Sequence, residues 1–334
     1  MPKFTYAPML RSKAGEATAL TNLVNSAKDR TRPVIHLVHK PPATFADAII
    51  AAWAGRHLAL DGTFQNAING NAAGYTHMFD RLGKGKVAII PSLDYAADAV
   101  TLGAIQKLRG KYAPGLMIKV KPNQLHDVTK WVTAQGWKQN EIDLVVWLTE
   151  IGGYDPDMLE PVVTKAVIDH IPNPSPWRSI ILSASAAPKD HGDLVSGRTN
   201  VPRLEWRVWS GVSKSVPYQI DYADFASVHP DLTDPPGYVM ARATVSVRYA
   251  IDDYWIVIKG KPTSGKSGQP MPVQYRAHAK ALVADPAFAG LKTACWADDR
   301  IQKIAGGAPG GGSRSVWAGL MANRHLSLVA DRLP

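Results

Sequence analysis

Short runs of alternating apolar and polar residues recur along the chain, and most are followed by a stretch with apolar residues at three- and four-residue spacing. The first pattern is that of a strand, whose side chains point alternately to two faces; the second is that of a helix. Strand-like runs fall at Val34–Val38, His57–Asp61, Val87–Ile90, Leu116–Lys121, Ile142–Leu148, Ser179–Ser183, Tyr218–Tyr222 and Thr244–Tyr249. Helical stretches are expected at Gly15–Lys28, Ala43–Ala54, Ala96–Leu108, Gln124–Ala134, Pro156–Ile171, 272–284 and 314–330; residues 203–213 suit helix or strand, and the spacing of Leu204, Val208 and Val212 favours helix. Residues 1–32 read as an N-terminal extension, an entry strand or loop before the first helix, 63–84 as a long loop, and 186–201 as another loop. Asp252–Asp253 turns the eighth run back into Tyr254–Lys259 as a hairpin. The stretches 260–272 and 306–313, rich in Gly, Pro and Ser, read as flexible loops.

Strands alternating with helices require parallel strands joined by right-handed crossovers. Eight such units predict an α/β fold of (β/α)8 TIM-barrel type, with a late β-hairpin and C-terminal helices, spanning residues 1–334 as one domain. No GxGxxG follows the first strand, which argues against a dinucleotide-binding sheet.

The polar faces of the runs carry the candidate chemistry. Barrel strands turn apolar residues outward to the helices, so polar ones point inward or to the mouth. That places His36, Asp61, Asp94, Lys119, Ser183, Asp221 and Arg248 at the C-terminal mouth, with Tyr249 beside them. Three carboxylates and two cations in one enclosure perturb one another, as functional groups do, but they also suit a buried ion-pair network that closes the barrel. Asp61, Asp94 and Asp221 could together hold Mg²⁺ through oxygen ligands. Lys119 and Arg248 suit a small anionic ligand such as a phosphate or carboxylate, and His36 suits a general base. A carboxylate pair at the right separation would also serve glycoside hydrolysis.

Composition narrows the classes. The net charge of +10, with a sequence pI near 9.5, attracts polyanions, but the basic residues form no continuous block and no nucleic-acid-binding motif is present. A solvated basic surface is therefore preferred over specific nucleic-acid binding. A single cysteine, Cys295, excludes an intrachain disulfide and a cysteine-rich zinc site. The ten histidines show neither HxH nor HExxH spacing, and the residues name no cofactor. With no long apolar run and no signal-like start, a cytoplasmic protein that does not enter membranes is expected. Gly260–Ser267 matches GxxxxGK[ST], but Gly268, Pro270 and Pro272 forbid the helix that a phosphate loop must open, so the match reads as a surface loop.

The order of several short motifs carries a resemblance. Tyr6-Ala-Pro8-Met-Leu10, Lys13-Ala-Gly15-Glu16, Leu60-Asp61, Asp143-Leu-Val-Val, Trp177-Arg178, Arg203-Leu-Glu205-Trp206, Asp221-Tyr222, Val247-Arg248-Tyr249, Asp253-Tyr254-Trp255, Gln274-Tyr275, Trp296-Ala-Asp298 and Asn323-Arg-His325 follow one another over nearly the whole chain. In this the chain resembles the Beta protein family, named for a satellite-phage protein that counteracts a lethal phage protein encoded beside it. The departures are His36-Leu-Val-His39-Lys40 and Trp147-Leu-Thr-Glu150, where acidic residues are expected. The resemblance implies a phage- or mobile-element-linked protein acting in host–phage conflict. Its partner would be a neighbouring toxin or a defence component, bound in the manner of an immunity protein or antitoxin. No catalytic activity comes with the family. A barrel enzyme acting on a phosphorylated or sugar substrate is the rival reading, and polyanion binding a third.

Overall fold

The computed structural model describes residues 5–190, 192–234, 237 and 243–334. Eight parallel strands form one sheet in the order β1 (Met9–Arg11), β2 (Val34–His36), β3 (His57–Asp61), β4 (Ala88–Asp94), β5 (Leu116–Val120), β6 (Ile142–Glu150), β7 (Ser179–Ser185) and β9 (Asp221–Asp224). The segment leading into β1 closes it. Tyr6 bridges Thr31 on one side and Tyr222 on the other, and the Ala7 amide donates to the Tyr222 carbonyl at 2.8 Å. These bridges bring the two ends of the sheet together into a nearly closed (β/α)8-type barrel.

Helices α1 (Ala14–Thr21), α2 (Asn25–Lys28), α3 (Phe45–Trp53), α4 (Thr63–Asn69), α5 (Ala73–Lys84), α6 (Ala99–Leu108), α7 (Leu125–Ala134), α8 (Pro156–His170) and α9 (Leu204–Ser215) occupy the connections between barrel strands. Local chemistry fixes several starts. Asp98 caps α6 by accepting from the Thr101 amide, and Asp155 accepts from the Asp157 amide with Pro156 at the first position of α8. The outer strand faces, with Ile35, Leu60, Ile118, Leu144 and Leu182, pack with Phe45, Trp53, Phe79 and Val128 of the helices. Trp53 is fully buried and its indole donates to the His57 carbonyl at 2.9 Å. The inner faces form a separate core of Met9, Val34, Ala59, Ile90, Met117, Val145, Ile181 and Ala223 across the barrel's middle.

A second, antiparallel sheet pairs β10 (Ser246–Ala250) with β11 (Tyr254–Lys259) and then with β8 (Gly197–Pro202). Helices α10 (Met271–Val283), α11 (Trp296–Ala305) and α12 (Arg314–Arg332) cover it around a core holding Val247, Ile256, Tyr275, Ile301 and Trp317. Helix α12 also packs along α1 and so ties this layer to the barrel. Among the described residues no helix is long and apolar enough to cross a membrane.

The fold class agrees with the strand–helix alternation, but the count of strands was reached by a wrong route. The first barrel strand is Met9–Arg11, inside the segment read as an extension; three residues are too few to show an alternation. The eighth run, Thr244–Tyr249, is not in the barrel. It pairs with its own hairpin partner, and β9 is the eighth barrel strand. Residues 63–84 hold helices α4 and α5 rather than a loop, β8 occupies the end of the supposed 186–201 loop, and α11 had no counterpart in the reading. The helix read over Gly15–Lys28 breaks between α1 and α2. In the phosphate-loop look-alike no helix begins at Lys266–Ser267; the next starts at Met271 behind Pro270.

Candidate functional site

At the C-terminal end of the barrel, β2, β3, β4 and β5 bring His36, Asp61, Ser92, Asp94 and Lys119 together. Their registers pair His36 with Asp61, Asp61 with Ser92, and Asp94 with Lys119, so all point to the same side of the sheet. Lys119 Nζ lies 2.9 Å from Asp61 Oδ2 and 2.7 Å from Asp94 Oδ1, and 4.6 Å from the centre of the Trp147 ring. Ser92 Oγ donates to Asp61 Oδ2 at 3.1 Å and the Thr63 amide donates to Asp61 Oδ1 at 2.9 Å. Burial works against the Lys119 ammonium, but the two carboxylates more than offset it and its pKa stands raised. A lysine held charged in this way is not a nucleophile. His36 is buried, stacks on Phe225 at 5.9 Å, and its Nε2 has no hydrogen-bond partner among the described residues. Burial, aided by the Lys119 charge, pushes it down to about 3, so the ring is neutral at pH 7 and a weak base.

Arg248 reaches this end from β10. It donates to the Ser227 carbonyl and the Pro188 carbonyl, both at 2.7 Å, and so fastens the loops that follow β9 and β7 over the barrel. Ser183 is fully buried inside, its hydroxyl 3.4 Å from the Met9 sulfur. Two expected members lie elsewhere. Asp221 is the first residue of β9 and not its last, so it stands at the opposite, N-terminal end. With it goes the Asp61–Asp94–Asp221 cation site; no group of three or more potential ligands that could hold a metal occurs among the described residues. Tyr249 follows Arg248 in β10, and neighbouring strand residues face opposite ways. Its ring stacks on Phe288 at 5.3 Å and its hydroxyl donates to Asp298 at 2.8 Å, in the lateral core.

A cavity of about 610 Å³ enters the barrel from the N-terminal end, where Asp221 stands. Its floor is Ala59, Ile90 and Met117, and its walls include Arg32, His57, Asp143, Trp177, Arg178, Tyr218 and Gln219. Arg178 grips Asp143 with Nε (2.8 Å) and Nη2, and Ser179 donates to the same carboxylate at 2.7 Å. This end was missed because the strand faces were read for polarity only towards their C-terminal ends. Asp143, Ser179 and Asp221, each the first or second residue of its strand, were the available signal.

A further polar network lies outside the barrel, between β9, α9 and α12. Asp224 accepts from the Tyr6 hydroxyl at 2.5 Å, the Tyr222 hydroxyl at 2.7 Å and the Ala226 amide at 2.9 Å. His325 Nε2 stands 2.6 Å from it, and Arg203 Nη2 3.9 Å. Arg203 also donates to Glu205 at 3.2 Å, and all these residues are buried. On the surface, Met158 and Val162 sit one turn apart on α8, 71% and 65% exposed, with Tyr154 in the preceding turn 61% exposed.

The comparisons with known proteins bear on the whole chain. A family model described as Beta protein matches residues 6–331. No curated protein matches. Among solved structures, the chain is similar to the Paramecium bursaria Chlorella virus arginine decarboxylase bound to agmatine, at 8% identity and TM-score 0.35, covering 75% of this chain and 70% of that one. A second structure of that decarboxylase gives 9% identity and TM-score 0.32 over the same shares. A Coccidioides immitis protein described as a fructose-1,6-biphosphate aldolase gives 11% identity and TM-score 0.32, over 67% and 77%.

Proposed function

The chain belongs to the Beta protein family, and on that premise we propose that it acts in host–phage conflict by binding an acidic protein partner, as an immunity protein, antitoxin or defence component does. The observation that carries this reading is the apolar surface of α8. Met158, Val162 and Tyr154 together expose large apolar side chains that solvent does not favour, and adjoining exposed apolar groups mark interaction sites. The net charge of +10 supplies long-range attraction to an acidic partner and speeds encounter at low salt. The C-terminal mouth then serves the barrel itself, its cation held between two carboxylates.

The test is co-expression with the genetically neighbouring toxin, or phage plating on cells carrying the protein. Met158→Asp with Val162→Asp places charges on the proposed contact at positions already in water, so folding is retained. Loss of protection at unchanged melting temperature is the expected result. Full protection by this double variant defeats the reading.

A barrel enzyme is the second reading, favoured by Asp94: a third of its side chain is exposed at the end of the buried Lys119–Asp61 pair, the one carboxylate of that group a substrate would reach. Under this reading Asp94→Asn abolishes protection while the α8 variant retains it.

A further inference from the structure

We propose that the cavity at the N-terminal end of the barrel is a binding site for a small organic cation, an amine or amidine on an apolar body, received by the free carboxylate oxygen of Asp221. The two acids of the cavity are in different states. Both oxygens of Asp143 are engaged by the Arg178 guanidinium, and the Ser179 hydroxyl adds a third bond. Asp221 uses Oδ1 alone, which accepts from the Thr5 backbone amide at 2.9 Å and the Gln219 side-chain Nε2 at 2.8 Å. Its Oδ2 receives no hydrogen bond among the described residues, and no cation of those residues lies within ion-pair distance. Yet Asp221 is only 6% exposed, and what exposure it has is to the cavity.

A carboxylate that is mostly buried but turns one oxygen to a cavity is bonded more strongly by a positively charged N–H donor than by a neutral one. Ala59, Ile90 and Met117, on the inner strand faces, have no polar side-chain group to offer, so the part of the ligand that reaches them is apolar. The volume falls in the range of small-molecule sites, roughly 300–1,000 Å³. Arg32 lines the same cavity and its charge already acts on Asp221 from beyond ion-pair distance; it disfavours a second positive charge and restricts the ligand to one cationic head. Burial also holds the Asp221 carboxyl above its ordinary range, a strain that a bound cation reverses. This site shares no residue with the α8 surface, so either can fail alone.

Benzamidine is the probe, with benzamide and benzoate as its neutral and anionic counterparts, titrated into the full chain by calorimetry. Methyl-labelled methionine NMR follows Met117 on the cavity floor. Benzamidine is expected to bind at millimolar concentration or below and to shift the Met117 signal, while benzoate does neither. Asp221→Asn keeps an oxygen for the Thr5 amide and is expected to weaken benzamidine at least about tenfold, the scale of a lost ionic contact. Benzoate binding equal to or tighter than benzamidine, benzamidine binding that survives Asp221→Asn, or no Met117 shift at millimolar benzamidine overturns the proposal. The Met117 shift in the wild-type chain stands as the test even where the variant fails to fold.

Discussion

His325 Nε2 lies 2.6 Å from Asp224 Oδ2, joining the C-terminal helix to the last barrel strand across 101 positions of sequence. The other ring nitrogen, Nδ1, is 3.4 Å from the Trp255 indole N–H. Burial lowers the His325 pKa in spite of the facing carboxylate, so the ring is neutral. One tautomer satisfies both contacts: Nε2–H donates to Asp224, and Nδ1 accepts from Trp255. His325→Leu leaves Asp224 short of a donor in a dry site. It is expected to cost about 1–3 kcal/mol, the scale for depriving a buried acceptor of one donor, read as a lower urea midpoint.

Glu205 gives that network a pH dependence. Burial, with Asp224 nearby, raises its carboxyl from 4.5 to about 7 in spite of Arg203. The folded chain therefore keeps a proton that the unfolded chain gives up first. This contribution is fully present below pH 4.5 and is lost as pH rises through 7, amounting to about 3 kcal/mol by pH 8. Glu205→Gln keeps the oxygen that Arg203 uses and cannot ionise. Relative to wild type it should gain stability steadily between pH 4.5 and pH 8; parallel stability curves over that range would contradict the assignment.

Lys119→Met leaves Asp61 and Asp94 facing each other without their cation. The expected loss is about 3–5 kcal/mol. Adding Asp61→Asn removes one of the stranded charges and should recover part of it, so the double variant melts above the single one. Additive effects would mean that the pair does not interact.

Gly115 has φ +128°, and a Cβ there would lie 1.6 Å from Arg178 Nη1. Gly115→Ala must both strain the backbone and push the guanidinium off Asp143. A loss of about 2–4 kcal/mol is expected from these two sources, measured by thermal unfolding. Gly136→Ala, with φ +70° and open space around it, carries the backbone strain alone and should cost less.

Much of the barrel was legible in the chain. The alternation in Leu116–Val120 set Ile118 and Val120 against Met117 and Lys119, and the structure buries the first pair against helices and the second inside the barrel. Such a face is decided by neighbours two residues apart. That the opening segment holds a barrel strand, Met9–Arg11, rather than an entry strand or loop outside it was not legible, because its partners, Val34–His36 and the Tyr222 segment through Tyr6, lie far away in sequence. Arg248 and Tyr249 show the same division from the other side: their facing opposite ways follows from pleating alone, whereas which of them looks at the barrel does not.

By itself the sequence determined the period of each element, the parallel order that alternating strands and helices impose, the membership of the Beta protein family, and the polarity of each strand face. Those properties are local or additive along the chain. Only the tertiary structure decided which end of the barrel each charge occupies, that Lys119 is matched by Asp61 and Asp94, and that Asp221 opens onto a cavity with one oxygen unfilled. The reason is physical: a charge's state depends on the burial and partners that closure of the barrel brings to it, and those partners come from strands whose distance in sequence says nothing of their distance in space.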